Sequence, residues 1–253
     1  GQGTTNGVMT SSDGINWTTR TAPAGIWLGI TWSPELGLFV AVSGQGTTNG
    51  VMTSSDGINW TLRTTPAVQY QCITWSKELG LFAALGWLSG VMTSPDGITW
   101  TSRTLPGEET LRGVAWSPTL GVFVTVGYQT FVTVIYTSTD GINWTGRTAP
   151  AEVINSKTVR WVPQFGAFVS LSVSTTSDKH MISFDGITWF VRTGAPQRWS
   201  DVVWSPELGI LVAVSTEAVG TRNVMFSRPM GVWGTINTRL TRSQVLSRIS
   251  LGV

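Results

Sequence analysis

Read for the alternation of apolar and polar positions, residues 28–64 divide into four short strands separated by turns. The first runs about Leu28 to Trp32, and Ser33-Pro34-Glu35-Leu36-Gly37 supplies a tight turn. The second, Leu38 to Val42, is apolar at every position, as expected where both faces of a sheet are covered. The third spans about Gly50 to Ser54, Asp56-Gly57 turns the chain, and the fourth runs from Trp60 to Thr64. Its Thr and Arg side chains predict an outer edge. Pro23, Pro66, Pro106, Pro150 and Pro196 end the fourth strands, because proline cannot donate to a ladder.

This pattern recurs along the whole chain. The word Ser-x-Asp-Gly-x-x-Trp appears six times, anchored on Trp17, Trp60, Trp100, Trp144, Trp189 and Trp233; in the last copy Pro229 and Met230 replace the Asp and Gly. The anchors are spaced 43, 40, 44, 45 and 44 residues apart, and residues 1–18 are identical to residues 44–61. Periods in the forties mean repeated supersecondary units that bury their apolar faces only by stacking on neighbours. The expected fold is an all-β propeller of four-stranded antiparallel blades. The expected division is a half-blade at 1–24, blades at 25–64, 65–104, 105–148, 149–193 and 194–238, and a closing strand or docking tail at 239–253. Six third-to-fourth-strand hairpins against five first-to-second-strand hairpins leave one half-blade without its partner. The reading is six blades with an incomplete closing blade, strand exchange placing tail residues near Ile249 against the hairpin at 7–21; five blades with an accessory N-terminal hairpin is the alternative.

Composition narrows the function classes. Charged residues are 12% and there are 14 Trp among 253 residues, which fits a turn-rich ordered β protein and not a disordered one. The pI near 9.0 rests on arginines of which Arg20, Arg63, Arg103, Arg147 and Arg192 share one repeat position. That is a scaffold pattern, so no nucleic-acid partner is expected. No apolar run is long enough to span a bilayer, and no membrane insertion is expected. The single Cys72, in an apolar strand, reads as a buried inert thiol.

The Asp turn has its own chemistry: the carboxylate accepts backbone N–H groups of its own turn, Gly supplies positive φ, and the Trp ring folds back over the hairpin. Five intact copies at blade spacing resemble the Asp-box, or BNR repeat, of sialidase-like propellers, in a variant one residue shorter than the usual box. The resemblance covers almost the whole chain. It implies that Asp13, Asp56, Asp96, Asp140 and Asp185 are structural and lie away from the ligand face. It also implies kinship with phage tail and virion surface proteins and with secreted bacterial proteins, hence an extracellular or virion-surface location.

Loops joining the second to the third strand, and the fourth to the next first strand, vary between repeats and form the face where asymmetric function belongs. Just before the first strands, Trp27, Tyr70, Leu111, Ser156 and Trp199 occupy one position, followed by Leu28, Gln71, Arg112, Lys157 and Ser200. Trp87 and Tyr128 lie in or beside the other variable loops. Aromatic platforms beside amides and a few charges suit a sugar, so Trp27, Tyr70, Gln71, Trp87, Arg112, Tyr128, Lys157 and Trp199 are the candidate ligand-binding residues. The competing reading packs Trp27, Tyr70 and Trp199 between blades. One His180 and one Cys72 leave no basis for a catalytic triad or a metal cluster, and neither catalytic residues, metal nor cofactor are expected. The function read from the chain is a non-catalytic glycan- or host-receptor-binding propeller on a phage virion or other extracellular assembly. The alternative is a structural or decoration module that contacts other assembly proteins, docking through Arg239, Arg242 and Arg248. A glycoside hydrolase ranks below both.

Overall fold

The computed structural model describes residues 7–130, 132–174, 178–216, 224–227 and 234–236. A two-stranded hairpin opens the chain, β1 (Val8–Thr10) with β2 (Thr18–Arg20). Five four-stranded antiparallel units follow, each with its strands in chain order across the sheet. Blade one is β3 (Trp27–Ser33), β4 (Leu38–Ser43), β5 (Val51–Ser54) and β6 (Thr61–Arg63). Blade two is β7 (Tyr70–Ser76), β8 (Leu81–Gly86), β9 (Val91–Ser94) and β10 (Thr101–Arg103). Blade three is β11 (Thr110–Ser117), β12 (Val122–Gln129), β13 (Val132–Ser138) and β14 (Thr145–Arg147). Blade four is β15 (Ser156–Val162), β16 (Ala167–Ser174), β17 (Lys179–Ser183) and β18 (Phe190–Thr193). Blade five is β19 (Gln197–Ser205), β20 (Ile210–Ser215), β21 (Val224–Ser227) and β22 (Gly234–Ile236). Blades four and five are also joined directly, Val173 pairing with Arg198 and Ser174 with Gln197.

The first strands β3, β7, β11, β15 and β19 contact one another in series, and the fourth strands lie at the outer edges. Apolar clusters lie between consecutive blades; Phe82 packs with Val40 and Val42 of the preceding blade, and Phe168 with Val124 and Val126. Inside each of the first three blades an aromatic relay crosses the sheet. Trp116 and Phe123 lie 4.5 Å apart between ring centroids, and Phe123 and Trp144 6.1 Å. The repeated arginine closes each outer pair: Arg103 Nε donates to Thr93 Oγ1 at 2.9 Å, with the same bond at Arg20, Arg63 and Arg147. Arg192 departs, donating to the Val191 carbonyl.

The five Asp turns share one geometry. Asp140 Oδ1 accepts from the backbone N–H of Ile142 and Asn143, both at 2.8 Å, and from Ser138 Oγ; Trp144 Nε1 donates to the Gly141 carbonyl at 3.1 Å. Gly141 has φ of 72°, where a β-carbon is disfavoured. Partial burial pushes the Asp140 carboxyl up, but hydrogen bonds from Asn143, Ile142 and Ser138 together outweigh it and bring the pKa to about 2. Asp96 is lowered by the same balance of burial against bonds from Thr99, Ile98 and Ser94. A depressed carboxyl stabilises the fold above its unfolded value of 3.8 and loses that contribution as pH falls below it. Asp96→Ala orphans the Ile98 and Thr99 N–H groups. It should cost about 1–3 kcal/mol in thermal or urea unfolding at pH 7 and flatten the acid limb below the carboxyl range.

The hairpin β1–β2 packs in the place of a preceding blade's outer half. A β-carbon on Gly57 would lie 3.5 Å from Thr10 Cγ2, as one on Gly141 lies 3.6 Å from Thr93 and one on Gly186 3.7 Å from Thr137. The fourth strand of blade one, Thr61–Arg63, is shorter than the sequence predicts; Trp60 precedes it, its indole N–H donating to the Gly57 carbonyl of the turn, and Trp100 and Trp144 stand likewise before β10 and β14. The tail at 239–253 and Trp233 lie outside the described residues, so the expected pairing near Ile249 does too.

Candidate functional site

Each first strand carries a β-bulge at one place. Trp27 pairs with Ser43 and Gly29 with Val42, skipping Leu28; the same skip leaves Gln71, Arg112, Lys157 and Ser200 unpaired in the next four blades. A bulge re-aims its extra side chain. In blades three and four those side chains enter a cavity of about 400 Å³ lined by Arg112, Tyr128, Thr130, Asn155, Lys157, Val173 and Arg198. The cavity sits on the variable face, between strand starts, strand ends and loops, whereas the Asp turns belong to the opposite ends of the blades.

The site is basic. Arg112 is held only by neutral groups: one terminal nitrogen donates to Gln71 Oε1 at 3.0 Å, the other to Tyr128 Oη at 3.0 Å, and its guanidinium carbon lies 5.4 Å from the Tyr128 ring centre. Its Nε is buried without a hydrogen-bond partner. Burial, then the neighbouring Arg112 charge, lowers the Lys157 pKa, against an opposing pull from Asp201. Asp201 is engaged by Arg160, which binds it through Nε at 3.1 Å and Nη2 at 2.8 and 2.9 Å. No carboxylate lines the cavity among the described residues. Gly113 lets the two cationic strands converge, since a β-carbon there would sit 2.9 Å from the Lys157 carbonyl and Val159 nitrogen.

Backbone strain gathers on this face. The four non-glycine residues with positive φ among the described residues are Leu88, Ser89, Thr130 and Asn155, and the last two line the cavity. Such conformations persist where the surroundings over-determine them, and they collect at functional sites. Asn155 Oδ1 is buried with no hydrogen-bond partner, an acceptor or, with the amide turned, a donor available to a ligand.

The aromatic platforms need correction. Tyr70 and Trp199 are fully buried, and Trp27 is half-buried against blade one. Trp27 and Trp199 donate their indole N–H to the carbonyls of Pro23 and Ala195, both at 2.9 Å, and Tyr70 Oη donates to Pro66 O at 3.3 Å. Leu111 and Ser156, at the same position, are equally buried. The position just before each bulge points into the sheet stack, so these rings plug the fold and Tyr70 and Trp199 have no face free for a sugar. Gln71, Arg112, Tyr128 and Lys157 do come together. Trp87 stands apart from them, exposed beside Leu88 in the loop between β8 and β9. Thr130, Asn155, Val173 and Arg198 escaped the sequence reading; among them Arg198 alone carried a signal, as an arginine off the repeated position.

Elsewhere, burial pushes the Cys72 thiol up to about 12 and holds His180, in the third strand β17, down to about 4, so both are neutral at pH 7. Among the described residues no three of His, Cys, Asp and Glu gather, and no helix is long and apolar enough to cross a membrane.

No family model and no curated protein sequence matches the chain. Solved structures do match in shape. The nidogen/laminin complex gives a TM-score of 0.67 at 13% identity, covering 84% of this chain and 80% of that one. Virginiamycin B lyase from Staphylococcus aureus gives 0.66 at 13% identity, covering 86% and 72%. YCF48 bound to D1 peptide gives 0.61 at 13% identity, covering 88% and 71%. With the sheet order above, these likenesses define the class: the chain is an all-β protein of the β-propeller fold. At such identities they define the fold alone.

Proposed function

We propose that this protein is a non-catalytic binding propeller whose variable face holds an acidic glycan of a surface receptor at the cavity between blades three and four. One observation carries the reading: Arg112, Lys157 and Arg198 line one cavity with no carboxylate among the described lining residues. A cavity of that charge favours a carboxylate or sulfate, and Arg112, already splayed by Gln71 and Tyr128, offers a planar fork to it. Tyr128, Thr130 and Asn155 supply neutral hydrogen-bonding groups around the charge, the mix that orients a hydroxylated ligand. The five Asp turns then serve as scaffold of the Asp-box type, and display on a virion or other extracellular assembly accords with that repeat.

A second reading has its own support. Trp87 and Leu88 are exposed side by side, Leu88 with φ of 48°, an apolar step suited to a protein partner. Two of the similar structures are complexes, nidogen with laminin and YCF48 with D1 peptide. An array carrying neutral glycans, their carboxylated or sulfated counterparts, and acidic peptides separates the two. Retention on acidic glycans alone, lost as salt is raised, is the expected result. Equal retention on neutral glycans defeats the anionic site, and retention on peptides alone turns the assignment to protein docking.

A further inference from the structure

Residues 1–18 and 44–61 are identical, and the described part of the first copy forms in β1–β2 the hairpin that the second forms in β5–β6, which isolates what the neighbours contribute. Met52 is 1% exposed, whereas its twin Met9 is 58% exposed, and Trp17 is 55% exposed. What differs is that β5–β6 has the inner strands β3 and β4 beside it, while among the described residues β1 pairs with β2 alone.

The flanking blades are bare on the matching sides. Ile30 of blade one is 59% exposed, although its equivalents Ile73, Val114, Val159 and Val202 are buried. On blade five Val214 is 45% exposed, although its equivalents Val42, Leu85, Val126 and Leu171 are buried. A polar bond shows the same gap. Trp75 Nε1 donates to Glu35 Oε2 at 2.7 Å and Trp116 Nε1 to Glu78 Oε2 at 2.6 Å, each reaching the turn of the blade before. Trp161 and Trp204 lack the bond, and Thr119 and Gln164 stand at the glutamate's position in the turns before them. Blade one retains the donor, Trp32, and blade five the acceptor, Glu207, whose carboxylate accepts from its own turn's Ser205.

We infer that the gap bounded by blade five, blade one and the N-terminal hairpin is a docking site for one inner β-hairpin with the chemistry of residues 27–43. Its two strands are apolar and its turn reads Ser-Pro-Glu-Leu-Gly. The incoming Trp donates to Glu207, the incoming Glu accepts from Trp32, and the incoming strands cover Met9, Trp17, Ile30 and Val214. The occupant repeats an interface that the chain already makes between its own blades, which sets its chemistry.

The test fuses a copy of residues 25–43 ahead of Gly1, so that its Ser meets Gly1 as Ser43 meets Gly44. The melting midpoint should rise by about 5 °C or more, and the fused segment should resist protease. Acrylamide quenching of Trp emission should fall. Glu207→Gln should remove part of that rise in the fused chain and change the unfused chain little. No rise, a digested segment, or an equal rise with a scrambled segment overturns the inference. So does evidence that the gap is already filled: an unfused chain that sediments as a dimer and gains nothing from the fusion, or one that deletion of residues 237–253 destabilises while the fusion adds nothing.

Discussion

Trp199→Ala will lower the melting midpoint by roughly 6–20 °C, a larger effect than that expected of Asp96→Ala. The side chain is fully buried in the cluster with Val162, Val169, Leu171, Val202, Leu211, Ala213 and Met225, between blades four and five. Truncating a buried Trp removes its transfer free energy and leaves a cavity, about 3–5 kcal/mol together. For a chain of this size each kcal/mol moves the midpoint by about 2–4 °C. The change also orphans the Ala195 carbonyl that now accepts the indole N–H. Trp199→Phe keeps most of the packing and loses the bond, so its cost should be clearly smaller. Calorimetry of both variants checks the ranking. A stable Trp199→Ala that had lost ligand would restore this ring as a recognition platform.

Arg112→Ala will weaken binding of the acidic ligand about 10–100-fold with little loss of stability. Charge-assisted hydrogen bonds contribute about 1.5–3 kcal/mol, which corresponds to that range of affinity. Stability should hold because the guanidinium brings costs of its own, a buried Nε without a partner and repulsion of Lys157. Removing it lets the Lys157 pKa rise toward its ordinary value. Arg112→Lys keeps the charge but loses the fork, and should fall between wild type and Ala. Titration at two ionic strengths provides the control, since the wild-type affinity should decline with salt more steeply than that of Arg112→Ala. An unchanged affinity would remove the cavity from the binding face.

The candidate site was half legible in the chain. Gln71, Arg112 and Lys157 stood out because they occupy one position in successive repeats, and the structure shows why that position matters: it is the bulge residue of each first strand. The position before it carries Trp27, Tyr70 and Trp199, and composition favoured their use as sugar platforms. Successive side chains in a strand point to opposite sides, so a one-residue difference separates a plug from a lining residue. The bulge decides which is which, and an unpaired residue leaves no mark in a run such as Tyr70-Gln71-Cys72. Thr130, Asn155 and Val173 were equally silent, because they reach the cavity from three different segments.

By itself the sequence determined the repeating unit, the order of its strands and the build of its turns. Those features are local: alternation, Pro and Gly placement, and an Asp bonding within four residues of itself act before any blade meets another. What only the tertiary structure decided was which faces stay open. Met9 and Met52 have the same neighbours in sequence and opposite fates in exposure, because burial depends on the blade alongside. The convergence of Arg112, Lys157 and Arg198 has the same origin, since charges 41 to 45 residues apart meet only when the first strands gather side by side.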